Sequence, residues 1–236
     1  MSRWPSRYAP WMARDLAGGS GLIMLAVVAI GTFILARSGV GTGSESAAGV
    51  LATIVSQAAV LFVLLATGGM VSADLRQGYY CTLFTKPVSP VAYYLQRWLL
   101  GAALVALFPL LMAAGIALTT HAFAFSWAML GQVGLLYLLL GGLVFFLSTL
   151  TRRDWLLALL VYILQAVVHG LKSGGALFGW LGNTLDAVLP PFHLCNVRGP
   201  LPEGAALAHL LLYSGGLVGA ALLLLWRRPM GSGGRS

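Results

Sequence analysis

The sequence predicts an all-α, polytopic membrane protein with six transmembrane helices, an N-terminal interfacial helix and a re-entrant outer segment between spans five and six. Three observations carry this. The chain is 59% hydrophobic and 8% charged, with a mean hydropathy of +0.88. Soluble domains usually hold about 25% charged residues, so this composition does not suit a water-facing surface. Its uncharged runs have the length of bilayer crossings, and its basic residues alternate in density from one inter-span segment to the next.

The runs set the spans in order. A helix rises about 1.5 Å per residue, so roughly 20 apolar residues cross a hydrocarbon core of about 30 Å. The first span is 16–36, uncharged throughout and too long for the apolar region of a signal peptide. The second is 50–71, between Glu45 and Asp74. The third and fourth share the uncharged stretch from Trp98 to Thr151, which divides at Thr119-Thr120-His121 into 98–118 and 127–150. The fifth, 155–169, is short, and the sixth is 205–226. Together they make one transmembrane domain over 1–236, with no length left for a separate soluble domain.

Two regions depart from a plain bundle. Ahead of the first span, Trp4, Tyr8 and Trp11 interleave with Arg3, Arg7 and Arg14, which suits a segment in the headgroup layer. Pro5 and Pro10 confine any helix there mainly to the part after Pro10. Between the last two spans, 170–203 is too apolar for a solvated loop (Leu177, Phe178, Trp180, Leu181) and too rich in glycine for a full crossing. Re-entrant or interfacial half-helices buried against protein are expected, ended by Pro190 and Pro191.

Arg3, Arg7, Arg14, Arg76, Lys86, Arg97, Arg152, Arg153, Arg227, Arg228 and Arg235 fall on one side of this arrangement, and only Arg37, Lys172 and Arg198 on the other. The positive-inside rule sets the first group, and both termini, in the cytoplasm. The net charge of +8 is therefore topological. A nucleic-acid partner is not expected, because the basic residues are scattered in short clusters and not gathered on one water-facing surface.

No Asp, Glu, Lys or Arg lies inside a proposed span, which counts against an ion-coupled transporter and an intramembrane acid/base enzyme. Ser214 lacks the GxSxG setting of a nucleophile. Gly215 with Gly219, and Gly175 with Gly179, have the GxxxG spacing of close helix contact. His121, His169, His193 and His209 all fall near the outer face but on three segments and without i, i+4 pairing, so no metal site is expected. Cys81 and Cys195 are on opposite sides of the membrane and do not pair within one chain.

The inner loop between spans two and three is long. Its part 74–84 has helical character, with Leu75, Tyr79 and Phe84 near one face and Asp74, Arg76 and Gln77 on the other, and Lys86-Pro87 stops it. Such a helix suits docking into a partner's groove or lying on lipid, and periodicity alone does not choose.

Here the chain resembles the type-2 ATP-binding cassette (ABC) export permeases. The likeness rests on Asp74, Leu75, Arg76, Gln77 and Gly78, then Leu83, then Lys86, Pro87, Val88 and Ser89, with Arg97 opening the third span. The basic turn Thr151-Arg152-Arg153-Asp154 and the broken outer region before span six extend it over nearly the whole chain. Tyr79-Tyr80-Cys81 stands where members usually carry Thr-Leu and an acidic residue. The resemblance implies a permease in the bacterial plasma (inner) membrane, paired with a second copy or a sister permease, above two cytoplasmic ABC ATPase subunits. The inner-loop helix would be the coupling helix seated in the ATPase. No cofactor would bind the permease; ATP and Mg²⁺ would sit in the partner, in keeping with the absence of a GxxxxGK[ST] phosphate loop here. Two other readings share parts of this pattern: a haem-exporter-like permease of cytochrome c maturation, and a membrane scaffold that transports nothing.

Overall fold

The structure, a computed structural model, describes residues 10, 14, 21–37, 47–76, 89–120, 125–174 and 179–227. These fold as α1 (Leu22–Arg37), α2 (Ala47–Thr67), α3 (Ser72–Arg76), α4 (Pro90–Thr120), α5 (Trp127–Leu150), α6 (Asp154–Ser173), α7 (Gly179–Val188) and α8 (Gly204–Arg227), with no strand among the described residues. Five helical stretches are long and apolar enough to cross a membrane: α2 with its continuation to Arg76, then α4, α5, α6 and α8. The protein is a multi-pass membrane protein. The described part of α1 is apolar and 16 residues long.

The helices pack as two groups that share α2, α4 and α5. α1 and α2 lie against α4, while α6 and α8 lie against α5, which is the most enclosed helix. The centre is built from Leu51, Tyr93, Tyr94, Phe108, Met112, Ile116, Leu139, Leu140 and Phe145, all nearly inaccessible. Phe62 meets Phe108 with ring centroids 4.3 Å apart. Leucines, isoleucines and phenylalanines also cover the outside, among them Ile30, Phe33, Leu107, Leu118, Leu160, Ile163, Leu212 and Leu223. Exposed tryptophans sit at helix ends: Trp155 and Trp226 at one end of the bundle, Trp127 and Trp180 at the other. Two aromatic belts one crossing apart suit rings that prefer the membrane–water interface.

Span boundaries follow the sequence reading closely for the last three, with α6 extending to Ser173 and so reaching full length. The third differs. Its helix begins at Pro90, well before Trp98, and Arg97 lies about two turns inside it instead of opening it. Proline suits a first helical position, where the missing N–H has no partner to lose. Tyr93 and Tyr94 then bury completely. Two irregularities mark the long helices. Pro109 sits inside α4, and α5 contains a π-helical turn at Tyr137–Gly141. The Tyr137 hydroxyl donates to the Trp98 carbonyl, joining that turn to α4.

The seam between α5 and α8 is made by Gly142, where a Cβ would lie 3.3 Å from Val218 Cγ2, and by buried Ser214, whose hydroxyl donates to the Leu211 carbonyl at 3.2 Å. Gly215 and Gly219, expected to mark close contact, instead face outward, with no atom within 4 Å of the place a Cβ would occupy. An evenly apolar helix does not reveal its inner face by spacing. Gly175 lies outside the described residues, as do most of the expected N-terminal interfacial helix and Cys81.

At the end of the bundle away from the α2–α3 turn, the connector before α8 is stitched to several helices. The Gln132 side-chain amide donates to the Pro200 carbonyl, Arg198 to Thr53, and Tyr213 to the Val188 carbonyl at 2.9 Å. α7, ten residues long, ends at Val188, and Pro190 and Pro191 follow it as buried residues.

Candidate functional site

The sequence holds six acidic residues, and two of them, Asp74 and Asp154, are buried at the same end of the bundle. They brace the turn through which α2 leaves the membrane and α3 begins.

α2 ends at Thr67, whose buried hydroxyl donates to the Val63 carbonyl at 2.6 Å. The Gly68 N–H donates to the Leu64 carbonyl at 2.7 Å and the Met70 N–H to the Thr67 carbonyl at 3.3 Å, which satisfies two of the last carbonyls of the helix. Gly69 has φ +72, the left-handed conformation in which a glycine commonly ends a helix. Its N–H points away from α2 and donates to Asp154 Oδ2 at 2.9 Å. The Ser72 hydroxyl donates to the same oxygen at 3.2 Å. Asp154 opens α6, where a carboxylate is favoured by the helix dipole, and is 1% exposed. One carboxylate therefore serves two helices.

Asp74 lies in the first turn of α3 and turns into the protein. The Tyr94 hydroxyl donates to its Oδ2 at 3.1 Å, and Arg97 Nη1 approaches the same oxygen at 3.5 Å. Arg97 Nη1 also donates to the Met70 carbonyl at 3.3 Å. The guanidinium thus links the turn's backbone, the α3 carboxylate and the body of α4. With its side chain 17% exposed, it neutralises a charge that would be costly to bury alone.

Of the residues singled out from the sequence, Asp74 and Arg97 come together and Leu75 packs against the core, while Arg76 is exposed. The helical pattern put Asp74 on a face with Arg76 and Gln77, away from Leu75; the structure buries Asp74 and leaves Arg76 to solvent. The Ser89 carbonyl accepts the Tyr93 N–H at 3.0 Å just before α4. Gln77, Gly78, Leu83, Lys86, Pro87 and Val88 lie outside the described residues. Gly69, Ser72 and Tyr94 belong to the cluster and were not singled out, and Asp154 was read only as the close of the basic turn after the fourth span. The rarity of acidic residues in the chain is a further sequence signal that points to Asp154.

The cluster has the chemistry of a mechanical joint. Its two carboxylates accept hydrogen bonds from donors that hold them.

Two further features stand apart from it. The His169 and His193 rings stack 4.3 Å apart and nearly parallel, with His193 Nδ1 also 2.9 Å from the Gln165 amide. No group of three or more metal-ligating residues occurs among the described residues. Cys195 is buried nearby in the connector, where desolvation pushes its thiol up to about 12. Along the side of the bundle, a groove of about 490 Å³ opens between α2 and α6, lined by Gln57, Leu61, Leu64, Gly68, Trp155 and Leu159.

No family model matches the chain, and no curated protein matches it.

Proposed function

We propose that the chain is the membrane-spanning permease subunit of an ABC exporter, driven by a separate cytoplasmic ATPase through the segment between α2 and α4. In this reading α1 completes a six-span bundle, both termini are cytoplasmic, and the membrane is the bacterial plasma membrane. α7 and the turn after it form the re-entrant or interfacial outer element. ATP and Mg²⁺ stay in the partner, two copies of which bind below a pair of permeases.

The observation that carries the reading is the braced turn 69–76. A segment that receives force from outside must be coupled rigidly to the spans it moves. Hydrogen bonds to ionised groups contribute about 1.5–3 kcal/mol each, more than neutral ones. Asp154 and Asp74 supply such bonds to three helices at the point where the segment begins. The sequence supplies no phosphate loop and no charged residue within the expected spans, so its fuel comes from elsewhere. The α2–α6 groove supports a partner within the membrane. Gln57 is exposed there on an otherwise apolar wall, and a side-chain amide facing hydrocarbon favours association with another polar group.

Purification of the tagged protein in mild detergent tests this. Recovery of a stoichiometric ATPase subunit bearing a phosphate loop is the expected result. Its absence, under conditions that hold other ABC assemblies together, overturns the proposal. Replacing Gly78 or Pro87 should uncouple ATP hydrolysis from transport while the protein still inserts.

A further inference from the structure

We propose that the cleft formed by Arg198, Thr53 and the start of α5 is an oxyanion-binding site, taking a phosphate or carboxylate group at the end of the bundle opposite the braced turn. It stands independently of the exporter reading.

The cleft encloses about 530 Å³ and is lined by Gly49, Ala52, Thr53, Ser126, Ala128 and Arg198 among others, none of them acidic. Its walls are mostly small residues, so a ligand can approach backbone closely. Arg198 is exposed at the cleft and is oriented by its turn and by one side-chain hydrogen bond. Its turn is anchored by buried Val197, its N–H donates to Asn196 Oδ1 at 3.1 Å, and the Gly199 N–H donates to the Asn196 carbonyl at 2.9 Å. One guanidinium nitrogen donates to Thr53 Oγ1 at 2.8 Å, which sets the plane of the fork. The Thr53 hydroxyl proton is directed to the Gly49 carbonyl at 2.8 Å, so the threonine oxygen is free to accept.

A guanidinium has five N–H donors, and this one meets no carboxylate among the described residues. Arg198 lines the cleft, and its planar fork of donors matches phosphate and carboxylate oxygens. A second set of donors borders the same space. Ser126 precedes α5 in an extended conformation and its hydroxyl does not cap the helix. The first-turn N–H groups of Ala128 and Met129 have no partner among the described residues, and both residues line the cleft. The first N–H groups of a helix are normally satisfied by a cap, by water or by a ligand. The positive end of the helix dipole adds to the attraction for an anion, and a fixed arginine beside it makes the site one for negative charge.

Phosphate of a lipid headgroup and a soluble oxyanion share this chemistry, and one experiment separates them. The purified full chain in maltoside micelles, which contain no phosphate, is titrated with inorganic phosphate and separately with a short-chain phosphatidylglycerol. The thermal unfolding midpoint is read at constant ionic strength, with chloride as control. A saturable rise with inorganic phosphate identifies a soluble oxyanion; a saturable rise with the lipid alone identifies a headgroup. In either case Arg198→Gln should shift the titration at least tenfold to higher concentration. Ala128→Asp, which leaves Arg198 untouched and puts a carboxylate into the cleft, should do the same. No saturable rise with either probe, or titrations of both variants that superimpose on the unmodified protein, overturns the proposal.

Discussion

The carboxylate of Asp154 lies 2.9 Å from the backbone nitrogen of Gly69, joining the first turn of α6 to the turn that ends α2. The two residues are far apart in sequence, and the same oxygen also takes the Ser72 hydroxyl. The contact makes the turn part of the bundle and not an appendage of one helix.

Removing that carboxylate is expected to loosen the joint. Asp154→Ala strands the Gly69 N–H and the Ser72 hydroxyl in a buried position, at a cost of about 2–3 kcal/mol. Thermal unfolding in detergent reads the loss. Gly69→Ala should cost about 1–2 kcal/mol through its positive φ alone, because an added Cβ meets only Ala73 Cβ at 3.5 Å. Gly68→Ala should be worse, since its Cβ would lie 2.6 Å from the Leu64 carbonyl oxygen.

The Asp74–Arg97 pair is expected to behave as a coupled unit. Arg97→Met leaves a largely buried carboxylate with Tyr94 but without its cation, and should cost about 3 kcal/mol. Asp74→Asn combined with Arg97→Met should cost less than the sum of the single changes. A double-mutant cycle on unfolding midpoints measures this, and strict additivity would show that the pair is not energetically coupled.

Crossing helices were legible in the sequence because they are long uncharged runs, and α5 and α8 fall where the runs put them. The start of α4 was not, because a rule based on charge stops at Arg97, and only the fold shows Asp74 placed to neutralise it. Asp154 escaped for a related reason. Its partners lie more than eighty positions away, beyond any local periodicity. Chain composition announced that carboxylates are scarce, but not which helix end each one serves.

The glycines of the α5–α8 seam should separate cleanly. Gly142→Leu is expected to destabilise by about 1–3 kcal/mol through overpacking against Val218 and the Ser214 carbonyl. Gly215→Ala, on the open side of α8, should be neutral or stabilising for the single chain, as alanine is the better helix former by up to about 1 kcal/mol. Unfolding midpoints of the two variants in the same detergent check the ranking.

Whether force reaches the braced turn from the cytoplasm is tested most directly at Cys81, in the segment that follows Arg76. A membrane-impermeant maleimide is applied to intact and to permeabilised cells. Cys195 should stay silent in both, because it is buried and its thiol is pushed up to about 12, far from the thiolate that reacts; a Cys195→Ser background checks this. The expected result is labelling of Cys81 only after permeabilisation. Labelling in intact cells would put the segment on the outer side, away from any ATPase, and would contradict the proposed drive.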